Sequence, residues 1–205
     1  MFFLRKSKFS GGFFLERAEL LVKNFFVRLV ILAVVLAAVI LSQIGSDGGR
    51  HPAAIAAATL FIIGAAMYVV VSFGNFFVGG YNRIAEMADD LDEDEYWQAC
   101  EEAEAAEPVA NMFFFTSSVV YCPLGLLARN SEIEAMEAVW VKNKKKDSGG
   151  DYKKVILRFK IKGCKSCELV FKYNEFILAL DEQYNRLKWR MQQLNSEITV
   201  TESGR

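Results

Sequence analysis

An acidic segment in the middle of the chain contains the first residues with a possible chemistry. Between residues 86 and 107 the sequence has eleven acidic residues and no basic residue. Five oxygen-bearing side chains in this segment match the ligand spacing of an EF-hand calcium loop; they are Asp90, Asp92, Asp94, Gln98 and Glu101. Glu95 stands where such a loop needs glycine for its sharp turn. A solvated acidic helix or linker is therefore the alternative interpretation.

Two cysteines form the second candidate. Cys164 and Cys167 make a CxxC pair at the tip of a predicted hairpin, and such a pair can act as a redox centre or as half of a zinc site. Zinc would need two more ligands, whereas Cys100 and Cys122 are single and widely spaced. A β-turn provides no helix dipole to favour the thiolate. We expect reduced thiols without a redox role.

A cluster of lysines is the third candidate. Six of them flank a Gly-Gly turn between two predicted strands: Lys142, Lys144, Lys145, Lys146, Lys153 and Lys154. Each basic residue near an anionic lipid surface gains roughly 1 kcal/mol, so the pattern predicts that this loop binds lipid or a partner. An ordinary solvated loop is the alternative. Nucleic acid is not expected as a partner, because the sequence lacks a sustained basic face.

No set of side chains meets the requirements of a catalytic site. The only histidine, His51, lies in a short Gly-rich connection, and the sequence contains no nucleophile elbow, phosphate-binding loop or dinucleotide fingerprint. We therefore expect a protein that is not an enzyme and that has no cofactor.

The elements that position these candidates begin with two uncharged stretches, at residues 29–44 and 53–78. With the apolar residues that precede it, the first stretch reaches about the 20 residues that a bilayer core requires. The Gly-rich connection between the stretches favours an antiparallel hairpin. The sequence thus predicts two transmembrane helices at about 27–45 and 53–78, within a hairpin that covers residues 25–79.

Basic residues are distributed unequally around the first stretch. Six precede or border it, and the connection offers only Arg50; the six are Arg5, Lys6, Lys8, Arg17, Lys23 and Arg28. The positive-inside rule predicts an integral membrane protein with both termini in the cytoplasm and the lipid bilayer as a partner. Residues 1–24 suit a basic amphipathic segment. Small residues in the second stretch allow packing on the first helix or on another subunit.

The remainder of the sequence predicts an acidic helical linker at 80–110, a domain of strands and one helix at 111–195, and a tail at 196–205. Five stretches rich in β-branched and aromatic residues predict strands at 112–116, 119–128, 134–141, 155–161 and 167–172. A helix follows, with Asn174 as its N-cap. Its apolar face contains Ile177, Leu180, Tyr184, Leu187, Met191 and Leu194.

This arrangement resembles the membrane-anchored bacterial proteins that have a PH-like domain. The resemblance covers roughly residues 25–195, and its most specific parts are FFFTSSVVYCPLGLLARNSEIEAMEAVWV, VILRFKIKG and ELVFKY. It implies a membrane helical hairpin followed by an α+β domain, an antiparallel PH-like split β-barrel with one C-terminal helix. It also implies a binding or scaffold function and no reaction.

Taken together, the sequence predicts a non-enzymatic, membrane-anchored PH-like module that acts as a scaffold or binding domain at the cytoplasmic face of the bacterial inner membrane. A protein partner or a second copy of the chain would bind through the second span or the C-terminal helix. A cytoplasmic sensor that uses calcium at the acidic segment, or thiol redox at the CxxC pair, is the alternative function.

Overall fold

The structure, a computed structural model, describes residues 4–9, 11–46, 52–142, 152–163, 167–172 and 180–204. Within these residues two long helices come first, followed by a shorter helix, six strands, a fourth helix and a seventh strand. The elements are α1 (Phe13–Ser46), α2 (Pro52–Asp89), α3 (Glu93–Ala105), β1 (Phe114–Phe115), β2 (Val119–Cys122), β3 (Leu126–Arg129), β4 (Ile133–Lys142), β5 (Tyr152–Ile161), β6 (Cys167–Lys172), α4 (Leu180–Leu194) and β7 (Thr199–Ser203). A single 3-10 turn, Asn130–Glu132, lies between β3 and β4.

The helices α1 and α2 pack against each other, and the ring centroids of Phe25 and Phe77 lie 4.9 Å apart. The sequence indicates a helix break at Gly79 and Gly80, but α2 continues through both residues to Asp89. A Cβ atom at Gly80 would lie 2.6 Å from the backbone oxygen of Leu124 in the β2–β3 turn. This glycine therefore permits a close approach of α2 to the sheet, and it does not end the helix.

The two predicted membrane spans require a correction. Among the residues that the structure describes, no helix is both long enough and apolar enough to cross a bilayer. The predicted spans at about 27–45 and 53–78, and with them the integral membrane location with cytoplasmic termini, do not agree with this finding. The uncharged stretches are only parts of the longer helices α1 and α2, which also contain charged residues. The first half of α1 alone contains Glu16, Arg17, Glu19, Lys23 and Arg28.

The predicted PH-like split β-barrel is also wrong. The described strands form two separate sheets, one in the order β1-β2-β3 and one in the order β6-β5-β4-β7, and they do not close into a barrel. The predicted strand at 119–128 is in fact two strands, because a tight turn from Pro123 to Gly125 separates them and Gly125 adopts a φ of +127°. The sequence analysis also missed β7, which pairs in parallel with β4.

Both faces of the three-stranded sheet are buried, and each face contributes to a different hydrophobic core. On one face, Phe115, Val120, Cys122, Leu126 and Ala128 pack in the core that includes the four-stranded sheet and α4. The opposite face belongs to a second core with α1, α2 and α3, and its residues are Phe114, Val119, Tyr121 and Leu127. Alternate residues of a strand point to opposite faces, so two short apolar strands can join two cores.

The helix α4 covers the inner side of the four-stranded sheet. Tyr184, Leu187 and Met191 are buried along one face, and the Tyr184 ring lies 5.2 Å from that of Trp140 on β4. Lys188 also forms an ion pair with Glu202 on β7 at 2.7 Å. The periodicity in the sequence is therefore confirmed over α4, whereas Asn174 and Ile177 lie outside the described residues.

The start of α1 lies close to α3 at a glycine. Gly12 has a φ of +92°, in the region where residues with a side chain are strained. A Cβ atom at this position would lie 2.9 Å from Tyr96 Oη and 3.1 Å from Trp97 Cζ3. Both the backbone conformation and the available space thus require glycine here.

We predict that Gly12→Ala lowers the free energy of unfolding by at least ~2 kcal/mol, because a positive φ costs ~1 kcal/mol or more and the added methyl group overlaps Tyr96. Urea unfolding of the full chain measures this loss. Gly163→Ala is the matched control, since Gly163 has a φ of +74° but nothing within 4 Å of its Cβ position. Equal losses of unfolding free energy in the two variants would mean that the close contact between the added methyl group and Tyr96 does not affect stability.

Candidate functional site

The acidic segment forms an amphipathic helix that packs on the protein. Tyr96, Ala99, Cys100 and Ala103 are the buried residues of α3, and their spacing of three and four residues places them on one face. Three acidic residues in the first turn, Glu93 to Glu95, interact favourably with the helix dipole. The charge of this segment suggested a linker, whereas the spacing of its small and aromatic residues indicates a packed helix.

Two carboxylates of α3 bind the three-stranded sheet. Arg129 at the end of β3 donates from Nε to both oxygens of Glu95 at 3.0 Å, and from Nη2 to Oε2 at 2.7 Å. The Ser117 backbone N–H and hydroxyl donate to Glu102 at 2.6 and 2.8 Å. These hydrogen bonds from Ser117 lower the pKa of Glu102. Glu95 and Glu102 therefore hold α3 against the sheet.

Another stripe of α3 faces an open cleft. Trp97, Glu101 and Glu104 follow each other at intervals of four and three residues, so they share one side of the helix. Across from them lie the first turns of α1 and the residues before it. The cleft has a volume of about 820 Å³. Its lining residues are Gly11, Gly12, Phe13, Glu16, Arg17, Leu20, Trp97, Cys100, Glu101 and Glu104.

The residues that line the cleft have a net negative charge, although Arg17 is among them. Glu16, Glu101 and Glu104 contribute three negative charges and Arg17 one positive charge, which leaves a net charge of −2. The guanidinium carbon of Arg17 lies 4.8 Å from the ring centroid of Phe13 and 4.9 Å from that of Phe114. No ion pair between described residues includes Glu101 or Glu104. Their charges remain available to an occupant.

A short basic segment before α1 binds the acidic surface next to the cleft. We call residues 4–9 the N-terminal strap. Arg5 lies 3.7 Å from Glu86 and 3.6 Å from Asp89 in two ion pairs. The backbone N–H of Lys8 and the hydroxyl of Ser7 donate to Asp89 at 2.7 and 2.6 Å. The strap therefore lies against the end of α2 through cations, a hydroxyl and backbone amides.

Aromatic stacking fixes the end of the strap beside α3. The Phe9 ring lies parallel to Tyr96, with centroids 4.0 Å apart and an interplanar angle of 3°. It also meets the Trp97 ring edge-on at 6.4 Å. Tyr96 donates its hydroxyl to the Gly11 carbonyl oxygen at 2.8 Å, and burial raises the pKa of Tyr96. Gly11, which accepts this hydrogen bond two residues after the strap, also lines the cleft.

The structure does not arrange the predicted calcium ligands as an EF-hand loop. Asp94, Gln98 and Glu101 lie on α3, and Asp90 and Asp92 precede it. Within the described part of the chain, no group of three or more His, Cys, Asp or Glu side chains is placed to hold a metal ion. Of the five residues, Glu101 lines the cleft, and Gln98 donates to Glu102 at 3.1 Å.

The described thiols are buried. Cys167 lies at the start of β6 and donates from Sγ to the Gly125 carbonyl oxygen at 3.2 Å, whereas its predicted partner Cys164 lies outside the described residues. Burial raises the pKa of Cys167 and Cys100, and it raises the pKa of Cys122 to about 12. All three thiols therefore remain protonated and poorly reactive at neutral pH.

Half of the predicted lysine cluster lies outside the described residues, namely Lys144, Lys145 and Lys146. Lys142 ends β4 and Lys153 lies within β5. Lys154 is half-buried on β5, opposite Val141 on β4 and Lys172 on β6. Binding of lipid or a partner by this loop stays a prediction.

Comparisons with known proteins give no further guide to the site. No family model, curated protein or solved structure matches the chain. The cleft must therefore be interpreted from its own residues. Sequence reasoning missed Trp97, Glu104 and Phe9 as site residues, although Trp97, Glu101 and Glu104 have the spacing of one helical stripe.

We predict that Phe9→Ala releases the N-terminal strap, whereas Arg5→Ala leaves it bound. Phe9 is buried against Tyr96, while the Arg5 side chain is 46% exposed and its ion pairs are long, a type of pair that contributes little. Hydrogen exchange at the strap amides should accelerate by more than ~10-fold in Phe9→Ala and by less than ~3-fold in Arg5→Ala. Lys6→Ala, a substitution at an exposed position, gives the baseline exchange rate. Release of the strap in Arg5→Ala would show that ion pairs contribute more to its binding than the stacking of Phe9.

We also predict slow alkylation of the three buried thiols at pH 7.5. In the folded chain, iodoacetamide should modify Cys100, Cys122 and Cys167 more than ~100-fold more slowly than after unfolding in guanidinium, because burial limits access and favours the neutral thiol. Mass spectrometry of tryptic peptides gives the rate for each residue. Fast modification of folded Cys167 would contradict the structure and restore a redox interpretation of this residue.

Proposed function

We propose that this chain is a non-enzymatic binding module and that the cleft between α1 and α3 is the surface that binds a partner. The exposed Trp97 at the edge of an open cleft carries this proposal. Trp97 is 40% exposed, and tryptophan is among the residues that contribute most to binding at interfaces. The cleft volume of about 820 Å³ lies within the range of known ligand sites.

The chemistry of the cleft supports binding more than catalysis. It offers carboxylates, two aromatic side chains, an aliphatic residue and one guanidinium, and the guanidinium stacks on Phe13 and Phe114. Cys100 is the thiol in the lining, and burial raises its pKa, which is the opposite of what a nucleophile needs. The groups around the cleft can therefore position a partner, but they lack an activated nucleophile with a base beside it.

Self-association is a second interaction that agrees with a scaffold function. Leu60 and Ile63 on α2 are 70% and 51% exposed, and Trp189 on α4 is 62% exposed. A patch of several exposed apolar side chains is typical of a surface that contacts another protein, and Leu60 and Ile63 lie one helical turn apart. These residues support α2 and α4 as contacts with a second copy or with a protein partner.

We predict that a panel of short peptides of positive, negative and neutral charge contains at least one class that binds with a Kd below ~100 µM. Trp97→Leu should weaken this binding at least ~10-fold, which corresponds to ~1.4 kcal/mol. Trp189→Leu is the matched control, because it removes an exposed tryptophan of another helix. Isothermal titration calorimetry with the full chain measures the affinity.

Mass spectrometry of the bound peptide after prolonged incubation tests the non-enzymatic part of the proposal. We expect recovery of the intact peptide. Cleavage or modification of the peptide would contradict a pure binding function, and equal effects of Trp97→Leu and Trp189→Leu would remove the cleft as the binding surface.

A further inference from the structure

We infer that the cleft between α1 and α3 recognises a peptide segment that combines lysine or arginine with aromatic residues. This inference rests on the proposed binding function and names the class of partner. Its basis is the N-terminal strap, a segment of this chain that already occupies the neighbouring part of the same acidic surface.

The strap shows which chemistry this surface accepts. Its cations meet Glu86, Asp89 and the carbonyl oxygen of Leu91, to which Lys8 Nζ donates at 2.8 Å. Its aromatic residue, Phe9, stacks on Tyr96 at a centroid distance of 4.0 Å. The strap therefore makes two kinds of contact with this surface, basic side chains near carboxylates and an aromatic ring on an aromatic ring.

The cleft presents the same two types of group and is continuous with the strap. Gly11 borders the cleft and also the cavity of about 480 Å³ beside the strap. Trp97 meets Phe9 on the strap side and lines the cleft on the other side. Glu101 and Glu104 then extend the row of carboxylates along α3. A second basic and aromatic segment would find ion pairs with these carboxylates and ring contacts with Trp97.

The negative charge of the cleft disfavours anionic ligands. A phosphate or an acidic peptide would face Glu16, Glu101 and Glu104, with Arg17 held over Phe13 and Phe114 as the one cation in the lining. The net charge of the lining, −2, therefore favours a cationic occupant.

The test uses the full chain and a five-residue peptide of alternating lysine and phenylalanine. Two further peptides replace lysine by glutamate or by glutamine. Titration calorimetry should show that only the lysine peptide binds tightly, with a loss of affinity of more than ~10-fold between about 0.05 and 0.5 M salt, because salt screens exposed charges. Phenylalanine is present in all three peptides, so the comparison isolates charge.

Variants then locate the binding site. E101Q/E104Q should weaken binding of the lysine peptide at least ~10-fold, because it removes the carboxylates of the cleft. E93Q/E107Q removes the same number of charges from exposed positions of the acidic segment outside the cleft lining, and it should change the affinity by less than ~3-fold. Asp89→Asn alters the strap contact, and it should leave the peptide bound.

Three results would overturn the inference. These are equal binding of the glutamate and lysine peptides, full affinity in E101Q/E104Q, and loss of binding in Asp89→Asn alone, which would mean that the peptide replaces the strap. If the glutamine or glutamate peptide binds in a manner that depends on Trp97, the proposed function stands and only the cationic class fails. If no peptide binds with a Kd below ~100 µM, both proposals fail.

Discussion

Burial of the three-stranded sheet on both faces is the constraint on which the described fold depends. The strands β2 and β3 have only four residues each, yet successive side chains enter different cores. Tyr121 packs with α1 and α3, and its hydroxyl donates to the Phe14 carbonyl oxygen at 2.9 Å, whereas the adjacent Cys122 packs with the four-stranded sheet. A strand in this position has no solvated face, which explains the absence of polar alternation between residues 119 and 128.

The division of charge on α3 follows from this packing. Glu95 and Glu102 lie where the helix meets the sheet, and each has partners there, Arg129 and Ser117. A carboxylate at a buried contact costs free energy unless it is hydrogen-bonded. Glu95 and Glu102 therefore have a structural role. Glu101 and Glu104 lie where the helix faces solvent and stay hydrated at little cost. One acidic helix can thus serve packing on one side and recognition on the other.

The sequence was informative where a pattern was local and periodic. The apolar face of α4 followed from spacing, since a buried face must repeat with the period of its element. Most of the strand positions followed from their content of β-branched and aromatic residues. Prediction failed where contacts between distant parts of the chain determine the structure. The long uncharged stretches were interpreted as spans, although they are only parts of the longer helices α1 and α2, and the turn at Pro123 to Gly125 was not used to divide a strand. β7 has exposed Thr199 and Thr201 and little apolar pattern, so only its pairing with β4 defines it.

The cleft could not be predicted from the sequence for a different reason. It forms where two segments about 80 residues apart in the chain meet, at Gly12 and Tyr96. A local pattern of residue types does not indicate a contact between segments that are distant in the sequence. Once the segments are together, Glu16 on α1 and Glu101 and Glu104 on α3 line the same space, and like charges on facing helices oppose closure of that space. Water screens this repulsion while the cleft is open. Expulsion of that water requires a compensating charge, so a cationic occupant would relieve the repulsion that a neutral one leaves in place.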